Sequence, residues 1–344
     1  MKTKSRDRLY CGVDEEKILC AEPILNDKNM SHLFTFIVER YRVHLRKDIK
    51  HLPGPWTKDK VISQYRFTNI RREHDKQTQY LIKYISTNER LTLEEKILNT
   101  FLFRAWNNWS TMYSFGGPWT AEMIYDPALK ECTREIYRRI LKKDPERKWW
   151  SSAYNQGGTK QSWRYPHEIG KDKEFDIPLR VFHIGPWLKE GNIVGRLLDA
   201  VDQQEAFNVI KSVRGFADFL AYQVFVDLTY IEEFPFSENE FVVAGPGCKK
   251  GLEYVFDDFD GLNYEEALFY LRDRIDDYFI NHLANTDYSG PIWCPEELFR
   301  DLPRYDRKMN VMSLENCFCE LSKYIRTIEG TGRPRVKYKI PEER

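Results

Sequence analysis

Residues 215–231 read GFADFLAYQVFVDLTYI, a largely apolar run with one acid near its start, Asp218, and one inside its apolar half, Asp227. A helix that is apolar all round has to be buried, so this stretch predicts a central core helix. Asp227 is then a buried carboxylate, which is costly unless paired. Two roles are open to it. It can be the structural counter-ion of an arginine or of backbone amides. It can also be a proton-handling group whose pKa burial raises. Shortly after comes Ala244-Gly245-Pro246-Gly247-Cys248-Lys249-Lys250-Gly251-Leu252. This reads as a tight glycine-rich turn, of the kind that forms the hairpin of a helix-hairpin-helix element. There, amides at Gly245, Gly247 and Gly251, with Lys249 and Lys250, would grip a DNA backbone phosphate without reading sequence.

The rest of the chain supports a globular helical protein. Its 344 residues are 42% hydrophobic and 15% aromatic, enough for a sizeable core. Nine Trp and twenty Tyr offer flat surfaces for packing or for stacking on bases. The 53 basic and 53 acidic residues cancel, which excludes a uniformly basic nucleic-acid coat but not local polarity. Residues 134–148 are strongly basic and run into Trp149-Trp150, residues 253–277 are acid-rich, and Arg333–Lys339 is basic again. The seven Cys are irregularly spaced with no C-x-x-C, and no secretory leader is evident. A reducing compartment is expected, with no metal site. No apolar run approaches the roughly 20 residues of a membrane span. The expected location is the cytoplasm, that of the host for a viral protein, or the nucleus for a eukaryotic one.

In chain order, residues 1–48 read as an N-terminal extension with one helix, capped by Ser31 and running to about Asp48. After Pro53-Gly54-Pro55, residues 55–85 predict a helix capped by Thr57 and interrupted near Thr68-Asn69. It would set Arg66, Asn69 and Glu73 on one face. Thr92-Leu93-Glu94-Glu95 is a capping box opening a core helix, in which Arg104 and Asn107 are spaced i, i+3. A further helix, 120–142, breaks near Asp126-Pro127. Gly157-Gly158-Thr159-Lys160 resembles a phosphate loop, but G-x-x-x-x-G-K-[ST] occurs nowhere, which disfavours a P-loop kinase. Residues 177–184 predict a short strand, hence a minor β hairpin. Asn263 and Ser313 are predicted to open the last two helices. In the final one, Glu320 and Lys323 are i, i+3.

Five stretches taken together carry a resemblance: PWTKDKVISQYRFTNIRREHDKQTQYL, AYNQGGTK, GFADFLAYQVFVDLTY, VVAGPGCKKGL, and MSLENCFCELSKYIR followed by GTGRPR. Their order and spacing resemble the helical domain associated with 5-hydroxymethyluracil DNA kinases and the related α-glutamyl/putrescinyl-thymine pyrophosphorylases. The resemblance runs over roughly residues 50–340. It implies a mainly α fold, a single large helical domain over 49–340 of helix-hairpin-helix DNA glycosylase-like type. It also implies the chemistry. A kinase, here expected to be a separate partner, activates a 5-hydroxymethyl pyrimidine in DNA. The helical enzyme then displaces the phosphate leaving group with an amine from an amino acid or polyamine co-substrate, using no cofactor. On this reading Asp227, Lys160 and Glu320 are catalytic. Arg66, Asn69, Arg72 and Lys323 hold the leaving group, because a departing pyrophosphate needs cations and oriented donors. Trp56, Tyr154 and Tyr222 wall the pocket for an extruded base. The alternatives are a helix-hairpin-helix glycosylase, using an acid such as Asp257, Asp258 or Asp260, and a non-catalytic DNA-binding module.

Overall fold

The computed structural model describes residues 12–151, 174–285, 290, 308–332, 334 and 336–338. In chain order it runs α1 (Glu15–Cys20), β1 (Ile24–Leu25), α2 (Asp27–Val43), α3 (Lys76–Leu81), α4 (Leu93–Trp106), α5 (Trp109–Ser114), α6 (Ala121–Tyr125) and α7 (Leu129–Lys143). There follow α8 (Ile184–Glu190), α9 (Ile193–Leu198), α10 (Gln203–Ser212), α11 (Asp218–Leu228), α12 (Pro246–Val255), β2 (Phe256–Asp258), α13 (Tyr264–Asn285) and α14 (Val311–Ile328). Short π segments continue α2 over His44–Ile49 and α3 over Ile82–Ser86. The protein is mainly α-helical, with one small antiparallel sheet in which Leu25 pairs with Phe256. No helix among the described residues is long and apolar enough to cross a membrane.

The chain divides into two compact units, one built on Lys76–Ser237, the other on Arg8–Asp75 with Glu238–Arg344. In the first unit, α4 is the central helix, buried continuously from Lys96 to Trp106. Its start is the expected capping box. The Thr92 hydroxyl accepts from the Glu95 amide at 3.2 Å, and the Glu95 carboxylate accepts from the Thr92 amide at 2.9 Å. Its end is Asn107, in the left-handed region at φ 48°, which closes the last turn. The largely apolar segment forms α11 and packs on α4, as its composition demands. Trp106, Phe115, Trp119 and Phe182 fill the space beside α4 with edge-on and tilted ring contacts.

In the second unit, α2 buries Leu33, Phe34, Ile37, Val38 and Tyr41 against neighbours that include α12, α13 and α14. The dominant contact is α12 on α14. A Cβ at Gly251 would lie 2.2 Å from the Phe318 carbonyl oxygen, so only glycine allows this approach. One turn earlier, a Cβ at Gly247 would already touch Cys319.

The structure corrects several local expectations. Residues 244–252 are not a turn. Gly245 is the N-cap and Pro246 the first residue of α12, and the glycines serve helix packing. The predicted helix over 55–75 is absent. Its backbone groups bond elsewhere: Asp59 caps the Val61 and Ile62 amides, Arg40 Nε donates to the Phe67 carbonyl, and the Arg66 amide donates to Val336. Only Arg72–His74 makes a 3₁₀ turn. The strand expected at 177–184 lies in a 3₁₀ helix, Glu174–His183, that contains Pro178, a residue unable to donate to a ladder. The small sheet forms instead from β1 and β2. Helix α2 is capped by Asn26, not Ser31, and α14 by Asn310, not Ser313.

Gly251→Ala is expected to destabilise the protein by about 1–3 kcal/mol through overpacking. Equilibrium urea unfolding measures this, and a variant as stable as the parent would mean that α12 and α14 can separate freely.

Candidate active site and its electrostatics

Asp227 is completely buried in the first unit. Arg104 Nε donates to its Oδ2 and Nη2 to its Oδ1 at 2.6 Å, a two-point ion pair between α4 and α11. The Arg104 guanidinium also donates to Asn107 Oδ1 at 2.5 Å, and Asn107 Nδ2 donates to Ser151 Oγ at 2.7 Å. The i, i+3 spacing of Arg104 and Asn107 is thus a real contact. Of the two roles open to Asp227, this geometry is that of an arginine's structural counter-ion. Tyr222, also on α11, is buried in the same unit.

The second unit brings together Asn69, Arg72, Glu320 and Lys323, with Arg66 nearby. The irregular segment 66–75 lies against α14: Asn316 Nδ2 donates to the Asn69 carbonyl at 2.6 Å. Arg40, buried on α2, donates to Asn69 Oδ1 at 2.6 Å and lies within electrostatic reach of Glu320 and Arg66. Burial depresses the pKa of this guanidinium. Arg71, also buried, pairs with Glu73 at 2.6 Å and donates to the Lys308 carbonyl at 3.0 Å. On α14, Lys323 Nζ donates to Glu320 Oε1 at 2.6 Å, the ammonium partly exposed and the carboxylate buried.

Glu315, one turn before Cys319 on the same helix, was not singled out in the sequence. Its carboxyl is buried. Burial raises its pKa, while the Cys319 thiol, the Gly245 amide and the positive charge of Arg72 act in the opposite sense. Cys319 Sγ donates to Glu315 Oε1 at 3.2 Å. Burial, first of all, and the Glu315 carboxyl hold this thiol well above its usual range, so it is not a ready nucleophile. Arg40, Arg71 and Asn316 were missed as well. The only signal was the spacing of Glu315 and Cys319, i, i+4, which on an amphipathic helix reads as an outer face.

The start of α12 differs from the expected phosphate grip. The amides just before the helix are occupied by carboxylates, Ala244 donating to Glu265 at 2.9 Å and the N-cap Gly245 to Glu315 at 3.4 Å. Gly247 and Gly251 face α14. Lys249 lies over the Tyr264 ring, and Lys250 is exposed. Trp56 contacts Tyr338 edge-on at 5.0 Å and donates to the Leu52 carbonyl, in the same unit. Lys160 and Tyr154 lie outside the described residues. Among the described residues no cluster of three His, Cys, Asp or Glu side chains is arranged to hold a metal ion.

Two measurements check these environments. Asp227→Asn should cost about 3–5 kcal/mol in urea unfolding, because it leaves the Arg104 guanidinium buried without its counter-charge. The raised Glu315 carboxyl contributes stability that is complete below its ordinary value of 4.5 and is lost as pH rises through its folded pKa. The stability of the parent relative to Glu315→Gln should therefore fall as pH rises above that value. A pH-independent difference would contradict the raised pKa.

Comparison with known proteins gives a consistent result. No solved structure matches the chain. A protein of Bacillus phage SP10 named 5-hmdU DNA kinase is 26% identical over 333 residues, covering 92% of this chain and 48% of the relative. The chain thus spans about half the length of the curated relative it matches. The sequence model for "5-hmdU DNA kinase, helical domain" matches residues 27–332, which takes in α2 and both arms of the charged cluster; the chain belongs to this helical-domain family.

Proposed function

We propose that this chain is a transferase acting on 5-hydroxymethyluracil-derived bases in DNA. The finer reading is that it replaces a phosphate or pyrophosphate on the 5-hydroxymethyl group with an amine from an amino acid or polyamine. The family match over residues 27–332 carries the first part. The relative's name ties that family to 5-hmdU in DNA, and its phage source favours a viral setting with the substrate in the host cytoplasm.

The reaction suits the charged cluster of the second unit. A base takes a proton from the incoming amine, and the nitrogen lone pair attacks the exocyclic methylene carbon. The carbon–oxygen bond breaks, and the phosphate departs with its electron pair. Glu320 is the proposed proton acceptor. Its ion pair with Lys323 would have to open, leaving the ammonium to attract the leaving group. Arg72 and Arg66 add positive charge, and Asn69 orients Arg40 beside them. Asp227 is proposed to position α11 against α4. Lys249 and Lys250 are proposed to meet the DNA backbone, as point charges and not as part of a glycine hairpin.

The relative's name favours a second reading, phosphate transfer to the hydroxymethyl group. Against it, no P-loop motif occurs in these 344 residues. In the proposed arrangement the kinase is a separate activity that supplies the phosphorylated base.

The two are separated by one assay. The protein is incubated with 5-hydroxymethyluracil DNA, or with its phosphorylated and pyrophosphorylated forms, plus amino acids and polyamines. The DNA is then digested to nucleosides for mass spectrometry. Amine adducts with phosphate or pyrophosphate release are expected only from the activated DNA, and Lys323→Ala should slow their formation about tenfold or more. Phosphorylation of the unactivated DNA by a nucleoside triphosphate would favour the kinase reading instead.

A further inference from the structure

In the first unit, three aromatic side chains stand exposed on one patch. Tyr84, Trp109 and Tyr113 are 43%, 41% and 68% exposed. They are not scattered. Trp109 and Tyr113 are i, i+4 on α5 and so share a face. The Trp109 ring stacks on Tyr80 with centroids 5.7 Å apart. Tyr80 in turn contacts Tyr84 at 4.8 Å and, beneath, the buried Phe103 at 5.8 Å. The patch is an aromatic layer backed by the core.

Its geometry is held by hydrogen bonds. The Trp109 amide donates to Gln77 Oε1 at 2.8 Å, tying α5 to α3. Asn108, the N-cap of α5, donates through Nδ2 to the Lys148 carbonyl at 3.0 Å. Arg147 donates to the Ser110 carbonyl at 3.0 Å and to Ser114 Oγ at 2.6 Å. These contacts bring the basic segment after α7 to the edge of the aromatic layer. On the other side, Lys83 lies over the Tyr84 ring at 4.9 Å. Exposed Lys148 and Lys83 therefore flank the rings. Arg138, Lys142 and Lys143, exposed on α7, add positive charge on the chain leading to Lys148, partly offset by exposed Asp144 and Glu146.

We propose that this patch is a binding surface for single-stranded DNA, on which unstacked bases lie against Trp109, Tyr113 and Tyr84 while the lysines attract the backbone. Exposed rings with flanking cations match the chemistry of a single strand, whose bases offer open π-faces. A closed duplex hides those faces. Burial and the neighbouring phenols raise the Tyr80 pKa to about 12, so its ring stays neutral as the backing of the layer. The proposal rests on the reading of this chain as a DNA-acting protein. Base chemistry on DNA works on unstacked nucleotides, which such a surface favours.

The test uses unmodified DNA, so it is independent of the base chemistry. Fluorescence anisotropy is measured with a labelled oligothymidylate and with a matched duplex, in the full chain. The single strand should bind more tightly, with affinity falling as salt rises. Trp109→Ala and Tyr113→Ala should each weaken it about fivefold or more, whereas Trp109→Phe should stay within about twofold. Phe219→Ala, exposed elsewhere in the same unit, should change nothing. Thermal melting confirms that each variant is folded. Failure of the parent to bind the single strand, or unchanged binding by the folded Trp109→Ala/Tyr113→Ala double variant, overturns the proposal. Neither result bears on amine transfer to activated DNA, which the nucleoside assay reads separately.

Discussion

The approach of Gly251 to the carbonyl of Phe318 governs the chemistry available to the second unit. Removing the side chains at Gly247 and Gly251 lets α12 lie directly on α14. That contact carries the start of α12 up to Glu315, whose carboxyl then accepts the Gly245 amide. The same face of α14 sets Cys319 beneath Glu315. Beside them on α14, Asn316 meets the segment that carries Asn69 and the arginines. A larger residue at position 251 would push apart the helices that define this arrangement.

The buried acids of the two units illustrate how environment divides chemically similar groups. Asp227 sits in an apolar helix and is matched by a guanidinium across two hydrogen bonds. Such pairing compensates the cost of burying the charge. Glu315 is buried with weaker donors, a thiol and a backbone amide, and Arg72 acts on it only as a nearby charge. Desolvation dominates there and raises the Glu315 pKa. The same contrast separates the cations. Arg40 is locked to Asn69 and the Phe67 carbonyl, while Lys323 reaches its partner from a partly exposed position.

Much of this was readable in advance where local rules decide. The Thr92 capping box, the break between α6 and α7, the burial of α11 and the Arg104–Asn107 contact all follow from spacing along one helix. The failures share a cause. Gly245–Gly251 carries turn residues, but neighbouring α14 rewards a helix whose small side chains permit close contact. Residues 55–75 have a helical pattern of charges, but their backbone groups are claimed by Asp59, Arg40 and Val336. In α12 and at Arg66 and Phe67 the local preference was overridden by partners distant in the chain, while Asp59 acted on amides two and three residues away.

The sequence by itself determined the helical class, the core helices and the need of Asp227 for a partner, because composition, periodicity and capping act over a few residues; the family was legible only as a resemblance carried by five ordered stretches. Only the tertiary structure decided that this partner is Arg104, 123 positions away. It also decided that glycines resembling a phosphate grip are a helix-packing surface, and that Glu315 joins Arg72. These facts depend on which elements meet, and burial, the quantity that sets the energy of every charge involved, has no value until they do.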